Sequence, residues 1–333
     1  MSEKILLAGD LGGTNTKLAY FSSQKGVTQP FHLESFKNRD YEDFEALLDA
    51  YLQLHELEFS GICLGVAGPV QGSQVDITNL GWVIDGDRLR AKHQLAGVWL
   101  LNDLRALSSA VFQLPEQDLV TLREGQPVDK APVAVIAPGT GLGEGFLVWD
   151  GREYQPVSTE GGHTDFGPTS SRQVKLVEYL QRQGIRASYE QVCSGIGVPH
   201  LYRFLRDEGY APEPDWLADQ LQGVEDITPL IFKAALDPDR DCRLCQLTVE
   251  LFVSILGAEA GNLALKTLAQ GGIYLGGGIP PRILPWLKKD FFLQALDDKD
   301  PHRELLSRIP VKVITNPIPN LIGAAHHGLR RLG

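Results

Sequence analysis

Two glycine-rich turns, one in each half of the chain, carry residue types that can bind phosphate. The first lies within GDLGGTNTKL and the second within PGTGLG. Both stand between apolar runs suited to strands, so each predicts a β-hairpin, and the two copies are about 125 residues apart. Glycines let backbone N–H groups approach an anion closely, and Thr14 and Thr140 add hydroxyl donors. Either turn alone could be a plain hairpin, but the duplication favours a phosphate-binding role.

Asp10 is the acid of the first turn, and its chemistry predicts a bound cation. A carboxylate cannot donate a hydrogen bond to phosphate, and its charge would repel one. A cation between the two groups removes this conflict, and Mg²⁺ is usually held by phosphates and few protein carboxylates. Asp10 is therefore a candidate ligand of Mg²⁺, directly or through water. In the second copy, Pro138 stands near the place that Asp10 takes in the first.

The common nucleotide-binding loops do not match this sequence. A Walker loop requires GxxxxGK[ST], which does not occur. In GTGLGEG, Glu144 stands where a dinucleotide-binding loop has its third glycine, and an apolar strand follows instead of a helix. The pattern therefore argues against a Rossmann dehydrogenase.

Asn102 and Asp103 directly follow the apolar run VWLL, which predicts a buried strand. Ligands of open α/β sheets gather at the carboxyl ends of the strands. Asp103 could be a general base there, with Asn102 binding the same substrate. Asp103 could equally cap the helix predicted from about Leu104, and the residues alone leave both interpretations open.

Hydrogen-bonding side chains cluster in STEGGHTDFGP, which contains Glu160, His163 and Asp165. A zinc site would need a third and a fourth ligand at suitable spacing, and the sequence offers none. Hydrogen bonding to hydroxyl groups suits this glycine-rich segment better.

Glu190 lies further along the chain, in SYEQVCSGIG, and has two interpretations. It could add another acid to the same site. Alternatively, Ser188 and Gln191 could form a capping box at the start of a helix, which would leave Glu190 simply exposed in the first turn.

The remaining pattern predicts strands that alternate with helices, and therefore a mixed sheet covered on its faces. Residues 41–52 place their apolar side chains on one stripe, which is typical of an amphipathic helix. A late strand, VKVIT, and a helix, NLIGAAHHGLRR, are predicted near the end. Further helices are predicted at residues 174–183, 197–207, 228–236 and 243–269.

Composition narrows the class of protein. A chain of 333 residues with 43% apolar residues predicts a globular protein of two domains. The net charge of −11 argues against nucleic acid or an anionic membrane as partner, since both require basic surface. No signal-peptide core and no apolar run near the ~20 residues of a membrane span are apparent, so a cytoplasmic location is expected.

The cysteine pair in CRLC, Cys242 and Cys245, could be half a zinc site or a redox pair. No second CxxC and no nearby histidine pair accompany it, and the segment is predicted as helix. A structural role is therefore favoured.

Together, these motifs resemble bacterial glucokinases of the sugar kinase/Hsp70/actin superfamily, from the first strand to the last helix. GDLGGTNTKL resembles the first phosphate motif of that family and PGTGLG the second. LGVAGPV, TNLGW, LLND and EGGHTDF resemble its sugar-site segments, and LGGGIPPRI its adenosine segment. The related ROK kinases carry a cysteine-rich zinc motif after their histidine, and no cysteine lies between Cys63 and Cys193 here. The chain therefore resembles the zinc-free, non-ROK glucokinases.

The resemblance implies two ribonuclease-H-like α/β domains, with mixed sheets flanked by helices and an interdomain cleft, as in the actin-like ATPase fold. The small domain would comprise residues 1–112 and 313–333, and the large domain residues 113–312. The implied activity is phosphorylation of glucose at its 6-hydroxyl by ATP with Mg²⁺, a step of glycolysis, in a cytoplasmic homodimer. A kinase for another hexose, such as mannose, fructose or an N-acetylhexosamine, and a non-catalytic sugar-sensing regulator are the alternatives.

The resemblance also assigns roles to residues. Asp103 would be the base. Glucose would be bound by Asn102, Asp103, Glu160, His163 and Glu190. The first phosphate loop would comprise Gly9, Asp10, Gly12, Gly13, Thr14 and Asn15. The second phosphate loop would comprise Gly139, Thr140 and Gly141, and the adenosine would lie near Gly276, Gly277 and Gly278.

Overall fold

The computed structural model describes residues 3–68, 70–77 and 80–333, which form an α/β fold. Its strands are β1 (Ile5–Leu11), β2 (Asn15–Ser22), β3 (Phe31–Lys37), β4 (Gly61–Val66), β5 (Val70–Gln71), β6 (Gln74–Ile77), β7 (Trp82–Asp85), β8 (Gly97–Asn102), β9 (Leu119–Arg123), β10 (Val133–Pro138), β11 (Leu142–Trp149), β12 (Tyr154–Thr159), β13 (Gly272–Leu275) and β14 (Val311–Ile314). Its helices are α1 (Phe44–Leu54), α2 (Gly86–Lys92), α3 (Asp103–Ala110), α4 (Ser171–Arg182), α5 (Gly197–Asp207), α6 (Asp215–Leu221), α7 (Thr228–Leu236), α8 (Arg243–Thr267), α9 (Leu284–Leu287), α10 (Asp290–Asp297), α11 (Arg303–Ser307) and α12 (Pro319–Leu332). Short 3₁₀ turns lie at Asn38–Asp40, Glu116–Asp118 and Gly161–His163.

These elements cluster into two compact units. Unit 1 comprises Met1–Leu119, Gln155–Ser158 and Asn316–Gly333, and unit 2 comprises Val120–Tyr154 and Thr159–Thr315. Within the described residues, one sheet has the strand order β3-β2-β1-β4-β8 and a second has the order β12-β11-β10-β13-β14-β9. A small third sheet has the order β5-β6-β7. It belongs to unit 1, and its strands lie between β4 and β8 in the sequence.

The main sheet of unit 1 begins with the first predicted hairpin, which the structure confirms. β1 pairs antiparallel with β2, placing Asp10 opposite Lys17. β1, β4 and β8 are parallel, with Leu11 beside Val66 and Val66 beside Asn102. Because the carboxyl ends of parallel strands meet at one edge of a sheet, the turn after β1 and the residues after β8 share that edge.

Alternation along β1 explains the two layers that cover this sheet. Leu7 packs in a cluster with the buried face of α1, which includes Leu47 and Tyr51. Leu6 points to the opposite face and packs in a cluster with Leu321 of α12. The predicted amphipathic helix at 41–52 is confirmed as α1, although it begins at Phe44.

α12 packs unusually closely on α3 within unit 1. A Cβ atom at Gly323 would overlap the carbonyl oxygen of Ala106, so this crossing requires glycine. α3 is the helix that begins at Asp103, and its distance from α12 is therefore set by a residue near the end of the described chain.

Unit 2 repeats the hairpin with β10 and β11, which pair antiparallel, and β13 lies parallel beside β10. The predicted helices at 197–207 and 228–236 are confirmed as α5 and α7, and those at 174–183 and 243–269 correspond to α4 and α8. The expectation that no apolar run approaches a membrane span is wrong for α8. By length and composition alone, this helix is long and apolar enough to cross a membrane. However, 83% of its most apolar window is buried inside the protein, as in a core helix.

Candidate active site

The first glycine turn joins β1 to β2 and is braced by a buried asparagine. The Gly12 N–H donates to the Asn15 carbonyl at 3.1 Å, which closes the turn. The side-chain amide of Asn38 donates to the Gly12 carbonyl at 2.8 Å and accepts from the Thr16 hydroxyl at 2.8 Å. The Asn38 backbone N–H donates to the Thr14 carbonyl at 3.0 Å. One side chain therefore fixes the turn from both sides.

The residues predicted to bind phosphate differ in exposure. Residues 13–15 are exposed and Gly12 is half-buried. Gly9 is buried inside β1, where a Cβ atom would come within 2.6 Å of Leu64 Cδ2. Glycine at position 9 is thus explained by packing, while residues 12–15 form the accessible part of the turn.

Asp10 lies at the end of β1, next to this turn, and its carboxylate is held by the last helix of unit 1. Asn320 Nδ2 donates to Asp10 Oδ1 at 3.2 Å. Burial raises the pKa of Asp10, while the Asn320 hydrogen bond and the charge of Lys17 lower it. No described residue hydrogen-bonds to the second carboxylate oxygen. This oxygen, beside an exposed turn, fits a hard cation such as Mg²⁺.

Asn102 and Asp103 stand at the junction of β8 and α3. α3 begins at Asp103, and Asn102 is its N-cap, with Asn102 Oδ1 accepting from the Leu104 N–H at 3.0 Å. Asp103 Oδ1 accepts from the same N–H at 2.8 Å. The interpretation of Asp103 as the N-cap is therefore wrong, because the helix begins one residue earlier than predicted and Asn102 takes that position.

The second glycine turn, in unit 2, is bordered by the segment 189–196. The Gly195 N–H donates to the Gly139 carbonyl at 2.8 Å, and the Ile196 N–H donates to the Thr140 carbonyl at 3.1 Å. Thr140 is exposed at the tip of this turn. The turn is therefore held by backbone hydrogen bonds, which leave the Thr140 side chain at the surface.

Glu190 reaches the second turn with its carboxylate. Glu190 Oε2 accepts from the Leu142 N–H at 3.1 Å, and Glu190 Oε1 lies 3.8 Å from His163 Nδ1. Only 17% of the Glu190 side chain is exposed. One carboxylate thus contacts both the glycine turn and the glycine-rich segment that carries His163.

The capping-box interpretation of Glu190 is wrong. No helix begins at Ser188; the segment instead pairs with residues 162–166. The Tyr189 N–H donates to the Thr164 carbonyl at 3.0 Å, and the Glu190 N–H donates to the Gly162 carbonyl at 2.8 Å. This pairing directs Glu190 inward, toward His163.

Glu160 and His163 are much more exposed than Glu190. Glu160 precedes the 3₁₀ turn and His163 is its last residue. Their side chains are 87% and 62% exposed, and Glu160 Oε2 lies 3.9 Å from His163 Nε2. We refer to residues 160–163, which the sequence resemblance predicts to bind sugar, as the sugar loop. The Asp165 carboxylate accepts hydrogen bonds from Arg186.

The glycines predicted near adenosine lie beside the second turn. The Gly276 N–H donates to the Ile136 carbonyl at 2.9 Å, and the Ile279 N–H donates to the Pro138 carbonyl at 3.1 Å. Gly277 and Gly278 are exposed. The parallel pairing of β10 with β13 therefore places this segment at the edge where the second turn begins.

The predicted residues thus form one group in each unit. Unit 1 holds the first turn, Asn102 and Asp103, and unit 2 holds the second turn, the sugar loop, Glu190 and residues 276–278. Asn38 and Asn320 were missed, because no motif marks them. Of the segments that resemble the sugar site, Pro69, Thr78 and Asn79 lie outside the described residues.

Comparison with known proteins identifies the family of this chain. A family model described as Glucokinase matches residues 7–330. The chain belongs to the glucokinase family. It is 39% identical to a glucokinase of Nostoc punctiforme over 336 residues, which cover 96% of this chain and 98% of that protein.

Solved structures of glucokinases share its fold. A glucokinase from an Antarctic psychrotroph aligns with a TM-score of 0.82 at 28% identity, covering 98% of this chain and 99% of that one. A ROK hexokinase from Thermus thermophilus shares the fold alone, with a TM-score of 0.64 at 19% identity over 99% of this chain and 100% of that one. The predicted family and the predicted actin-like α/β fold are confirmed.

The cysteine pair lies at the start of α8, where Cys242 is the N-cap and Cys245 is in the first turn, and both are buried. The hydrogen bond from Cys245 lowers the pKa of Cys242 to about 7. We predict that the purified protein contains no stoichiometric zinc, because two buried thiols provide only half of a tetrahedral site. The double variant Cys242→Ser/Cys245→Ser should keep its activity. Metal analysis that found one tightly bound zinc per chain would contradict the zinc-free prediction.

Proposed function

We propose that this chain transfers the γ-phosphoryl group of ATP to the 6-hydroxyl of glucose, giving glucose 6-phosphate and ADP. Family membership supports this activity. The structural observation that carries it is the position of the Glu190 carboxylate. This carboxylate lies 3.1 Å from the backbone nitrogen of Leu142, which follows the second glycine turn, and 3.8 Å from His163 Nδ1. A turn suited to phosphate and side chains suited to sugar hydroxyls are therefore neighbours in unit 2.

The phosphates of ATP are proposed to bind the backbone N–H groups and threonine hydroxyls of the two turns, at residues 12–15 and 139–141. Residues 276–278 would lie near the adenosine. Asp10 would hold Mg²⁺ through its oxygen atoms, and the bound ion would neutralise charge on the phosphates. Asn320 and Asn38 would keep Asp10 and the first turn in place.

Glucose is proposed to bind polar side chains. Its hydroxyl groups would be oriented by Asn102, Glu160, His163 and Glu190. A carboxylate can accept hydrogen bonds from adjacent hydroxyls, and such charge-assisted bonds are stronger than neutral ones. Since Glu160 is largely exposed and Glu190 is not, Glu160 has more free acceptor capacity for the sugar.

Asp103 is proposed as the general base. It would accept the proton of the 6-hydroxyl as that oxygen attacks the γ-phosphorus in line. Phosphoryl transfer depends mainly on positioning and on stabilisation of charge, so a carboxylate fixed at the start of a helix suits the role. Asp103 is held in this way, because its Oδ1 accepts from the Leu104 N–H at 2.8 Å.

The test of this function is ATP consumption in a coupled assay with glucose, run beside mannose, fructose and an N-acetylhexosamine. We expect the highest kcat/KM with glucose. A higher value with another sugar would reassign the substrate, and glucose binding without ATP consumption would point to a sugar sensor. A cytoplasmic location, a place in glycolysis and a homodimer also remain proposals, as does the functional division into residues 1–112 with 313–333 and residues 113–312.

Asp10→Asn should weaken binding of Mg·ATP by about tenfold, because it removes the only acid of the first turn while keeping its shape. Glucose binding should change little. Calorimetric titration of each ligand separately measures both effects without turnover. A loss of glucose affinity with unchanged Mg·ATP affinity would contradict the assignment of this turn.

A further inference from the structure

A carboxyl group is buried directly beneath the sugar loop. Glu144 lies on β11 and is 1% exposed. A Cβ atom at Gly161 would overlap Glu144 Oε2 and would lie 3.1 Å from Glu144 Cβ. The Glu144 side chain therefore occupies the space that a side chain at position 161 would need, and the loop rests on it.

The backbone of Glu144 holds the same loop through a threonine. The Thr159 hydroxyl donates to the Glu144 carbonyl at 2.8 Å, and the Gly161 N–H donates to that hydroxyl oxygen at 3.0 Å. Glu144 is thus linked to the start of the sugar loop by hydrogen bonds and contacts Gly161 with its side chain.

The Glu144 carboxyl lacks the partners that a buried charge requires. Its Oε1 atom is buried and forms no hydrogen bond with any described residue. A buried carboxylate without hydrogen bonds is strongly disfavoured relative to the neutral acid. Geometry alone therefore favours the protonated form.

The groups that face Glu144 add to this preference. Glu259 of α8 is fully buried nearby, where it accepts from Asn262 at 2.7 Å and lies 3.4 Å from Lys266 Nζ. Burial and the charge of Glu259 raise the pKa of Glu144 to about 8, and Lys266 opposes the shift. From the segment 189–193, the facing groups are Tyr189 and Cys193, whose own pKa values are raised by burial.

Two further charged elements lie close to this cluster. The sugar loop contributes Glu160 and His163, and Lys299 interacts electrostatically with Glu259. Among the facing groups, only Lys266 lowers the pKa of Glu144 appreciably, and its side chain is largely exposed. The surroundings therefore do not supply a full countercharge for an ionised Glu144.

We propose that Glu144 is a positioning residue for sugar binding, which supports Gly161 from below and so holds Glu160 and His163 in their binding positions. This inference rests on the proposed function. Glu144 lies outside both glycine turns, and its proposed role requires no contact with a sugar hydroxyl.

The proposal predicts a pH dependence of defined sign. Because the pKa of Glu144 is raised in the folded protein, its contribution to stability is fully present below the pKa of the unfolded chain, about 4.5, and is lost as pH rises through about 8. Above that pH, a carboxylate beside Glu259 would move toward water and displace the loop. The KM for glucose should therefore rise between about pH 7 and pH 9, more than the KM for ATP.

The experiment compares Glu144→Gln and Glu144→Ala with the wild-type chain and with Glu178→Gln, an exposed glutamate of α4 in the same unit. Glutamine keeps the shape of the neutral acid, so Glu144→Gln should have a glucose KM within about twofold of wild type at pH 7, and it should remove the rise toward pH 9. Glu144→Ala removes the support, so its glucose KM should rise about tenfold at pH 7, with kcat changing much less. Glu178→Gln should match wild type throughout.

Hydrogen exchange of residues 159–164 provides a readout that does not depend on turnover. Exchange should be faster in Glu144→Ala than in wild type, and unchanged in Glu144→Gln at pH 7. If wild type phosphorylates glucose but both variants keep its KM, pH profile and exchange, the positioning role is wrong and the proposed function stands. If wild type does not phosphorylate glucose, the proposed function fails, and the exchange rates alone decide the role of Glu144.

Discussion

Asp103→Asn should lower kcat by about 10²–10⁴-fold, the usual contribution of a general base, while glucose still binds. An amide keeps the shape of the side chain and one carbonyl acceptor, but it is too weakly basic to take the hydroxyl proton. The fold should not suffer, because Asn102 caps α3 with its own side chain. Measurement of kcat, the glucose Kd and the melting temperature on this single variant separates loss of chemistry from loss of structure.

A matched control is Asp40→Asn, which makes the same chemical change at an exposed position of unit 1. It should leave all three quantities at wild-type values. A folded Asp103→Asn protein with near-normal kcat would refute the base assignment. A large fall in melting temperature would instead indicate that Asp103 mainly stabilises α3.

Glu160→Ala should weaken glucose binding by about 10²-fold, because a carboxylate that accepts hydrogen bonds from sugar hydroxyls contributes about 1.5–3 kcal/mol for each bond. Mg·ATP should bind as it does to wild type. The protein should also keep its melting temperature, since 87% of the Glu160 side chain is exposed and its contact with His163 spans 3.9 Å. Calorimetry with each ligand measures the two affinities independently.

Asp165→Ala is the control for this second variant. Asp165 lies close by in sequence, but its carboxylate pairs with Arg186 at the surface. Its removal should leave glucose affinity unchanged. Equal loss of both ligands in Glu160→Ala would mean that the residue supports the fold rather than the sugar.

The sequence predicted the hairpins, most helices and the family because those features depend on local pattern. The period of apolar residues defines α1, and two apolar runs around a glycine turn define each hairpin. The position of Glu190 could not be derived in this way. Its carboxylate accepts from the Leu142 N–H, 48 residues earlier, because the segment from Ala187 to Glu190 pairs with residues 162–166 instead of starting a helix.

Asn38 and Asn320 show the same limit. The Asn38 side chain donates a hydrogen bond to the Gly12 carbonyl, 26 residues away, and the Asn320 side chain donates one to Asp10, 310 residues away. Asparagines that brace a turn or a carboxylate far away in the sequence have no sequence signature, because only the folded chain brings the partners together. In the sequence, Glu144 only interrupts a glycine pattern, whereas its contact with Gly161 depends on the fold.

The close packing of α12 on unit 1 also bears on how the protein is made. Helix α12 supplies Asn320, which holds Asp10, and Gly323, which permits the approach of α3. A ribosome releases residues 5–22 long before it releases residues 319–332, so the first turn must remain without its final support during most of synthesis. The second glycine turn, in unit 2, depends on nearer partners, since the segment 189–196 follows within about 60 residues and residues 276–279 follow within about 140. A nascent chain should therefore complete the second turn first and the site around Asp10 last.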